Sequence, residues 1–66
     1  MKKIRIFRQV NPNLRTQERA AAIIGITQEY YSAIERGKYI PEWRIRRKIE
    51  EVFGESFNFL MEEVTQ

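Results

Sequence analysis

Gln17 to Glu35 read Gln-Glu-Arg-Ala-Ala-Ala-Ile-Ile-Gly-Ile-Thr-Gln-Glu-Tyr-Tyr-Ser-Ala-Ile-Glu, and this stretch decides the fold. Its first eight residues are mostly strong helix formers, and Thr16 stands where it can cap them. At roughly 100° per residue, Ala20, Ala21, Ile23 and Ile24 fall on one side and are expected in the core. Gly25 follows, at a place where helix ends commonly need a left-handed backbone. Only Ile26 separates it from Thr27, a second good N-cap, so two helices must meet across a very tight turn and cross steeply. The second helix is expected over Gln28 to Arg36.

On that second helix Gln28, Glu29, Ser32, Ala33 and Arg36 share one arc, while Tyr30, Tyr31 and Ile34 share the opposite one. The polar arc contains no Lys, the usual solubilising choice. Gln and Ser both donate and accept hydrogen bonds, a combination suited to the edges of nucleic-acid bases. Ala33 would let the helix sit close to what it reads.

Working outward, residues 2–10 allow two readings. Ile4, Phe7 and Val10 suit a helix face, and the alternation Ile4, Arg5, Ile6 suits a strand. Asn11 precedes Pro12, so any helix there should stop by about Val10. Downstream, Pro41 sits where a helix commonly begins. Ile45, Ile49, Val52 and Phe53 then form a core-facing stripe closed by Gly54. Ser56 can cap a last short helix whose apolar side is Phe57, Leu60, Met61 and Val64. The expectation is an all-α fold: a compact bundle of about five short helices around a central helix-turn-helix (about 17–36), within one domain over 1–66.

The chain of 66 residues has no Cys, no His and no Asp; all nine acids are Glu. A thiolate or histidine zinc site, a Cys or His nucleophile system and a Ser-His-Asp triad are excluded by composition. No Gly-rich phosphate loop is present, so an enzyme is not expected, nor a cofactor. No apolar run nears the roughly 18 to 20 residues that span a bilayer, and the start lacks a secretory signal's apolar stretch. A soluble, cytoplasmic protein without a membrane partner is the expectation. The net charge of +3 hides a division. Residues 1–48 hold all twelve Lys and Arg with four Glu, a surplus of eight, and residues 49–66 hold five Glu and no base. A basic body suits a polyanionic partner.

Gln17 to Glu35 resembles, position by position, the helix-turn-helix of the Cro and lambda-repressor-like (XRE) family. Such motifs want apolar residues where Ala20, Ile24, Ile26, Tyr31 and Ile34 stand, a small residue at Ala21 and Gly at Gly25. The following Ile34-Glu35-Arg36-Gly37-Lys38 with Pro41 looks like the family's run into a fourth helix, and Ile49 to Gly54 with Ser56, Phe57 and Leu60 like its ending. The resemblance covers about residues 14–61. It departs in Asn11-Pro12-Asn13, a longer first connection, in Arg46 and Arg47 where Leu or Ala is usual, and in the bulk of Tyr31.

The resemblance implies binding of a double-stranded DNA operator with the Gln28 helix in the major groove. Thr27, Gln28, Glu29, Ser32 and Ala33 would then face bases, with Gln28 paired to adenine. Gln17, Arg36 and Lys38 would hold phosphates. A regulator, in particular a repressor, is expected; the rival is a protein-binding adaptor or anti-repressor on the same fold. Trp43 is assigned to the core, and Arg5 and Arg8 to the flank of the DNA. Arg44, Arg46, Arg47 and Lys48 are open to pairing with Glu50 and Glu51 or to function. Phe59 points away from the core side of its helix, so a homodimer through Phe59, Met61 and Val64 is expected.

Overall fold

Thr16 and Thr27 each turn a hydroxyl back onto the helix they precede, accepting from the Arg19 and Tyr30 N–H groups at 3.1 Å. They open α2 (Gln17–Ile24) and α3 (Gln28–Glu35), the pair that the sequence pattern predicts, α3 ending one residue early with Arg36 as its cap. Between the two, Gly25 takes φ 94°, and the Ala21 carbonyl accepts from the N–H groups of both Gly25 and Ile26.

The computed structural model describes residues 1–65. Three further helices complete the all-α fold among them: α1 (Lys3–Val10), α4 (Trp43–Phe53) and α5 (Phe57–Leu60). Residues 3–10 are therefore helical, which resolves the helix-or-strand ambiguity. Helix α1 stops at Val10 as the following Asn11-Pro12 requires. The connection is a tight turn in which the Asn11 side chain accepts from the Asn13 N–H at 2.9 Å and the Asn11 carbonyl from the Leu14 N–H at 3.0 Å. It delivers Leu14 into the core.

That core is Ile4, Leu14, Ala20, Ala21, Ile24, Tyr31, Ile34, Ile49, Phe57 and Leu60, with Phe7, Ile26, Tyr30, Ile45, Val52, Phe53 and Met61 packed at its edge. Ile23, expected inside, is exposed. The buried stripe of α2 is centred between Ala21 and Ile24, and a residue at Ile23 lies past its edge on the helical wheel. Pro41 does not open α4. Its ring is fully buried, Glu42 is the cap residue, and the Arg46 guanidinium donates to the Pro41 carbonyl at 2.6 Å. Trp43 is exposed rather than buried, because it stands on the first turn of α4 away from the Ile45 and Ile49 side.

The segment after α5 returns to the start of the chain. Lys2 and Glu63 form an isolated antiparallel bridge, the Lys3 N–H donates to the Glu62 carbonyl at 2.9 Å, and the Val64 N–H to the Met1 carbonyl at 2.9 Å. The Glu62 carbonyl thus satisfies one of the N–H groups that a helix start leaves free, in place of a side-chain cap on α1.

A Cβ added at Gly25 would meet nothing within 4 Å. Gly25→Ala should still lower unfolding free energy by about 1–2 kcal/mol, because a left-handed backbone is costly for an L side chain. Urea denaturation would measure it.

Candidate nucleic-acid interface

Four parts of the chain meet at one buried ion pair. Arg8 on α1 is 6% exposed and Glu35 at the end of α3 is 5% exposed. The pairing is a fork: Arg8 Nε donates to Glu35 Oε2 at 2.8 Å and Nη2 to Oε1 at 3.1 Å. The remaining Arg8 nitrogen, Nη1, donates to the Arg15 carbonyl ahead of α2. Gln17, the first residue of α2, donates from Nε2 to Glu35 Oε1 at 3.0 Å. Burial by itself would push the Glu35 carboxyl up, but the hydrogen bonds from Arg8 and Gln17 outweigh it and hold the carboxyl below its usual range. The Arg8 guanidinium is stabilised in turn, chiefly by its hydrogen bond to Glu35. Tyr31 lies beneath, its hydroxyl buried and without a hydrogen-bond partner among the described residues; burial pushes its pKa up, so it stays neutral.

Arg8, expected on the flank of the DNA, is instead a buried strut whose guanidinium is taken up by Glu35 and the Arg15 carbonyl. A signal existed, since Arg8 follows Ile4 by one helical turn and Ile4 is a core residue. Glu35 likewise neighbours the apolar Tyr31 and Ile34 arc of α3. Neither signal identifies the partner, because the two residues lie 27 positions apart.

Helix α3, anchored at its C-terminal end through Glu35, presents the residues predicted for recognition. Thr27, Gln28 and Glu29 are exposed, and Ser32 and Ala33 half-buried. A cleft of about 330 Å³ is lined by Gln17, Gln28, Glu29, Ser32 and Arg36, so five of the eight predicted site residues share one hollow. Arg36 donates to Ser32 Oγ at 2.7 Å. The serine hydroxyl keeps a second lone pair and its own proton, so it can still accept or donate. Thr27, Ala33 and Lys38 lie outside that hollow. The Thr27 oxygen serves as the α3 cap, and the Lys38 N–H donates to the Ala33 carbonyl at 2.9 Å, which ties the exposed lysine to the end of the helix. A second hollow of about 410 Å³ shares Gln17, Ser32 and Arg36 and adds Lys2, Arg5 and Glu63.

Several cations are already partnered. Lys3 meets Glu62 at 2.7 Å and Lys2 meets Glu63 at 3.8 Å, so part of the acidic end neutralises the start of α1. The pairing of α4 cations with Glu50 and Glu51 is not found. Arg44 lies 3.9 Å from Glu42, Arg46 serves Pro41, and Glu50 accepts instead from the Phe57 N–H at 2.7 Å, fastening α5. Arg5, Arg36 and Lys38 remain exposed, with no carboxylate in ion-pair distance among the described residues. Phe59 is not a free contact residue either. It is half-buried, edge-on to Phe7 at 5.7 Å, with the Lys3 ammonium 4.5 Å from its ring centre. Met61 and Val64 are half-buried as well.

The second helix of the helix-turn-helix thus exposes a polar face beside Arg5, Arg36 and Lys38. The family model described as helix-turn-helix matches residues 4–60, and the chain belongs to that family, the Cro/C1-type (XRE) helix-turn-helix proteins. They are regulators that bind double-stranded DNA rather than enzymes. No curated protein and no solved structure matches the chain. No helix among the described residues is long and apolar enough to cross a membrane.

Arg8→Met alone would strand a buried carboxylate and should cost about 3–5 kcal/mol, whereas Arg8→Met with Glu35→Met should fall near wild type. The Glu35 pKa is lowered on folding, so its contribution is present above the ordinary carboxylate range of about 4 to 5 and is lost as pH falls through it. Chemical denaturation from neutral to acid pH should show a smaller acid loss in the double variant than in wild type.

Proposed function

We propose that this chain is a transcriptional repressor that reads its operator with the N-terminal half of α3. The observation carrying the proposal is the cleft in which Gln28, Glu29 and Ser32 stand beside Gln17 and Arg36: base-type hydrogen bonders next to phosphate-type ones. Gln28 can donate to N7 and accept from N6 of one adenine. The free Ser32 proton suits an acceptor such as thymine O4 or guanine O6. Glu29 accepts from cytosine N4 and repels phosphate, so it also rejects a misplaced backbone. Thr27 and Ala33 border this face, with Ala33 admitting a base edge or a thymine methyl.

Phosphate contacts set the register. Gln17 keeps its backbone N–H at the start of α2, where the helix leaves it unpaired, and its amide is held still by Glu35. Arg36 uses one N–H on Ser32 and has others for a phosphate; Lys38 follows on the flank. Residues 1–66 act as one reading unit, and two such units on half-sites about one helical turn apart would occlude a promoter.

Selection from randomised duplexes should enrich a two-fold symmetric site. No enrichment and no binding even at low salt would favour the protein-adaptor reading. Gln28→Ala should relax preference at one base position at a cost of about 1–3 kcal/mol. Lys38→Ala should weaken all duplexes alike and reduce the slope of log affinity against log salt by about 1, as titrations across salt concentrations would show.

A further inference from the structure

The hollow of about 410 Å³ at the start of α1 is continuous with the recognition cleft, since Gln17, Ser32 and Arg36 line both. Lys2, Arg5 and Arg36 bring three positive charges to it, the buried Arg8 being neutralised by Glu35. Apart from Glu35, the one carboxylate that reaches the hollow among the described residues is that of Glu63.

Glu63 is brought there by its backbone. It bridges to Lys2, and the Lys3 N–H to the Glu62 carbonyl and the Val64 N–H to the Met1 carbonyl fasten the segment on either side, each at 2.9 Å. Its carboxylate, by contrast, is loosely held. It lies 3.8 Å from the Lys2 ammonium and 3.5 Å from the Met1 nitrogen, and its side chain is 56% exposed. Exposed pairs between flexible side chains are weak and easily exchanged. Glu62, one residue earlier, turns instead to the Lys3 ammonium at 2.7 Å and does not line the hollow.

We propose that Glu63 is a built-in competitor of DNA phosphate: in the free chain its carboxylate occupies a phosphate place beside Lys2 and Arg5, and a duplex must displace it to extend its contact from Arg36 onto the start of α1. The proposal rests on the DNA-binding reading above and adds a brake to it. A carboxylate and a phosphodiester each offer two anionic oxygens to the same cations, and they repel one another, so the hollow holds one of them at a time. The backbone bridge keeps Glu63 close by, while the loose side chain can swing out without opening that bridge. Displacement then frees Lys2 for the phosphate. Because a phosphate carries no base information, the brake acts on every duplex alike.

The test therefore needs no operator: a mixed-sequence duplex of about 20 base pairs, two turns of helix, titrated from about 50 to 200 mM salt. Glu63→Gln should bind it about 5-fold more tightly at the low-salt end, the factor that Coulomb's law in water gives two unit charges 4 Å apart. Its slope of log affinity against log salt should steepen by about 1, one more phosphate engaged. Glu62→Gln changes the net charge equally but lies off the hollow, and should stay within about 2-fold of wild type. In a Lys2→Gln chain, Glu63→Gln should no longer steepen the slope. Unchanged binding by Glu63→Gln overturns the proposal and leaves the DNA-binding reading intact. An equal gain in Glu62→Gln also overturns it, because net charge would then be the cause. If wild type and every variant fail to bind the duplex at the lowest salt, this proposal and the regulator reading fall together.

Discussion

The buried pairing of Arg8 with Glu35 is the constraint around which the molecule is arranged. Two charges removed from water are expensive, and the cost is offset only where geometry is good and the remaining hydrogen-bonding capacity is used. Here the fork is complete: Glu35 takes two bonds from Arg8 and one from Gln17, and Arg8 gives its third nitrogen to the Arg15 carbonyl. An apolar core alone tolerates small slides of one helix over another. A directional pair spanning α1, the α1–α2 connection, α2 and α3 does not, because a slide would leave a charge unpaired. Since Glu35 closes α3 and Gln17 opens α2, the same bonds orient the recognition helix and the proposed phosphate contact.

A domain of this size hides little surface, so the packing around that pair matters. Ala20 and Ala21 let α2 approach α3 closely, and Tyr31 fills the space below the ion pair with the largest fully buried side chain. The bulk of Tyr31, a departure from the family pattern, is accommodated in the core beneath Arg8 and Glu35. Both ends of the chain are used as well. The segment after α5 supplies a carbonyl to the start of α1 and sets Glu62 and Glu63 against Lys3 and Lys2. The basic surplus read along the chain is therefore reduced at the N-terminus, while Arg36 and Lys38 stay exposed beside the recognition face.

The α3–α4 connection shows the same economy. Pro41 is buried, its carbonyl held by Arg46, and Tyr39 packs edge-on against Tyr30. These anchors leave Ile40 and Trp43 outside, so the exposed apolar surface follows from how the chain enters α4 rather than from a lack of core volume. Phe59 shows the opposite: a residue pointing off the core side of a four-residue helix is covered by Phe7 and Lys3 of α1.

Local features were legible without a structure. The caps at Thr16, Thr27 and Ser56, the left-handed Gly25 and the opposed arcs of α3 all depend on residues within one or two turns of each other, and sequence spacing reports such relations directly. The stop of α1 at Val10 was legible for the same reason, although its helical state was not, because nine residues of mixed pattern satisfy two periods. What tertiary structure alone decided is everything that joins distant positions: the pairing of Arg8 with Glu35, the covering of Phe59, the exposure of Ile23 and Trp43, and the bridge between Lys2 and Glu63. Partner choice and burial at a helix edge depend on where other elements come to lie, and no short-range periodicity carries that information.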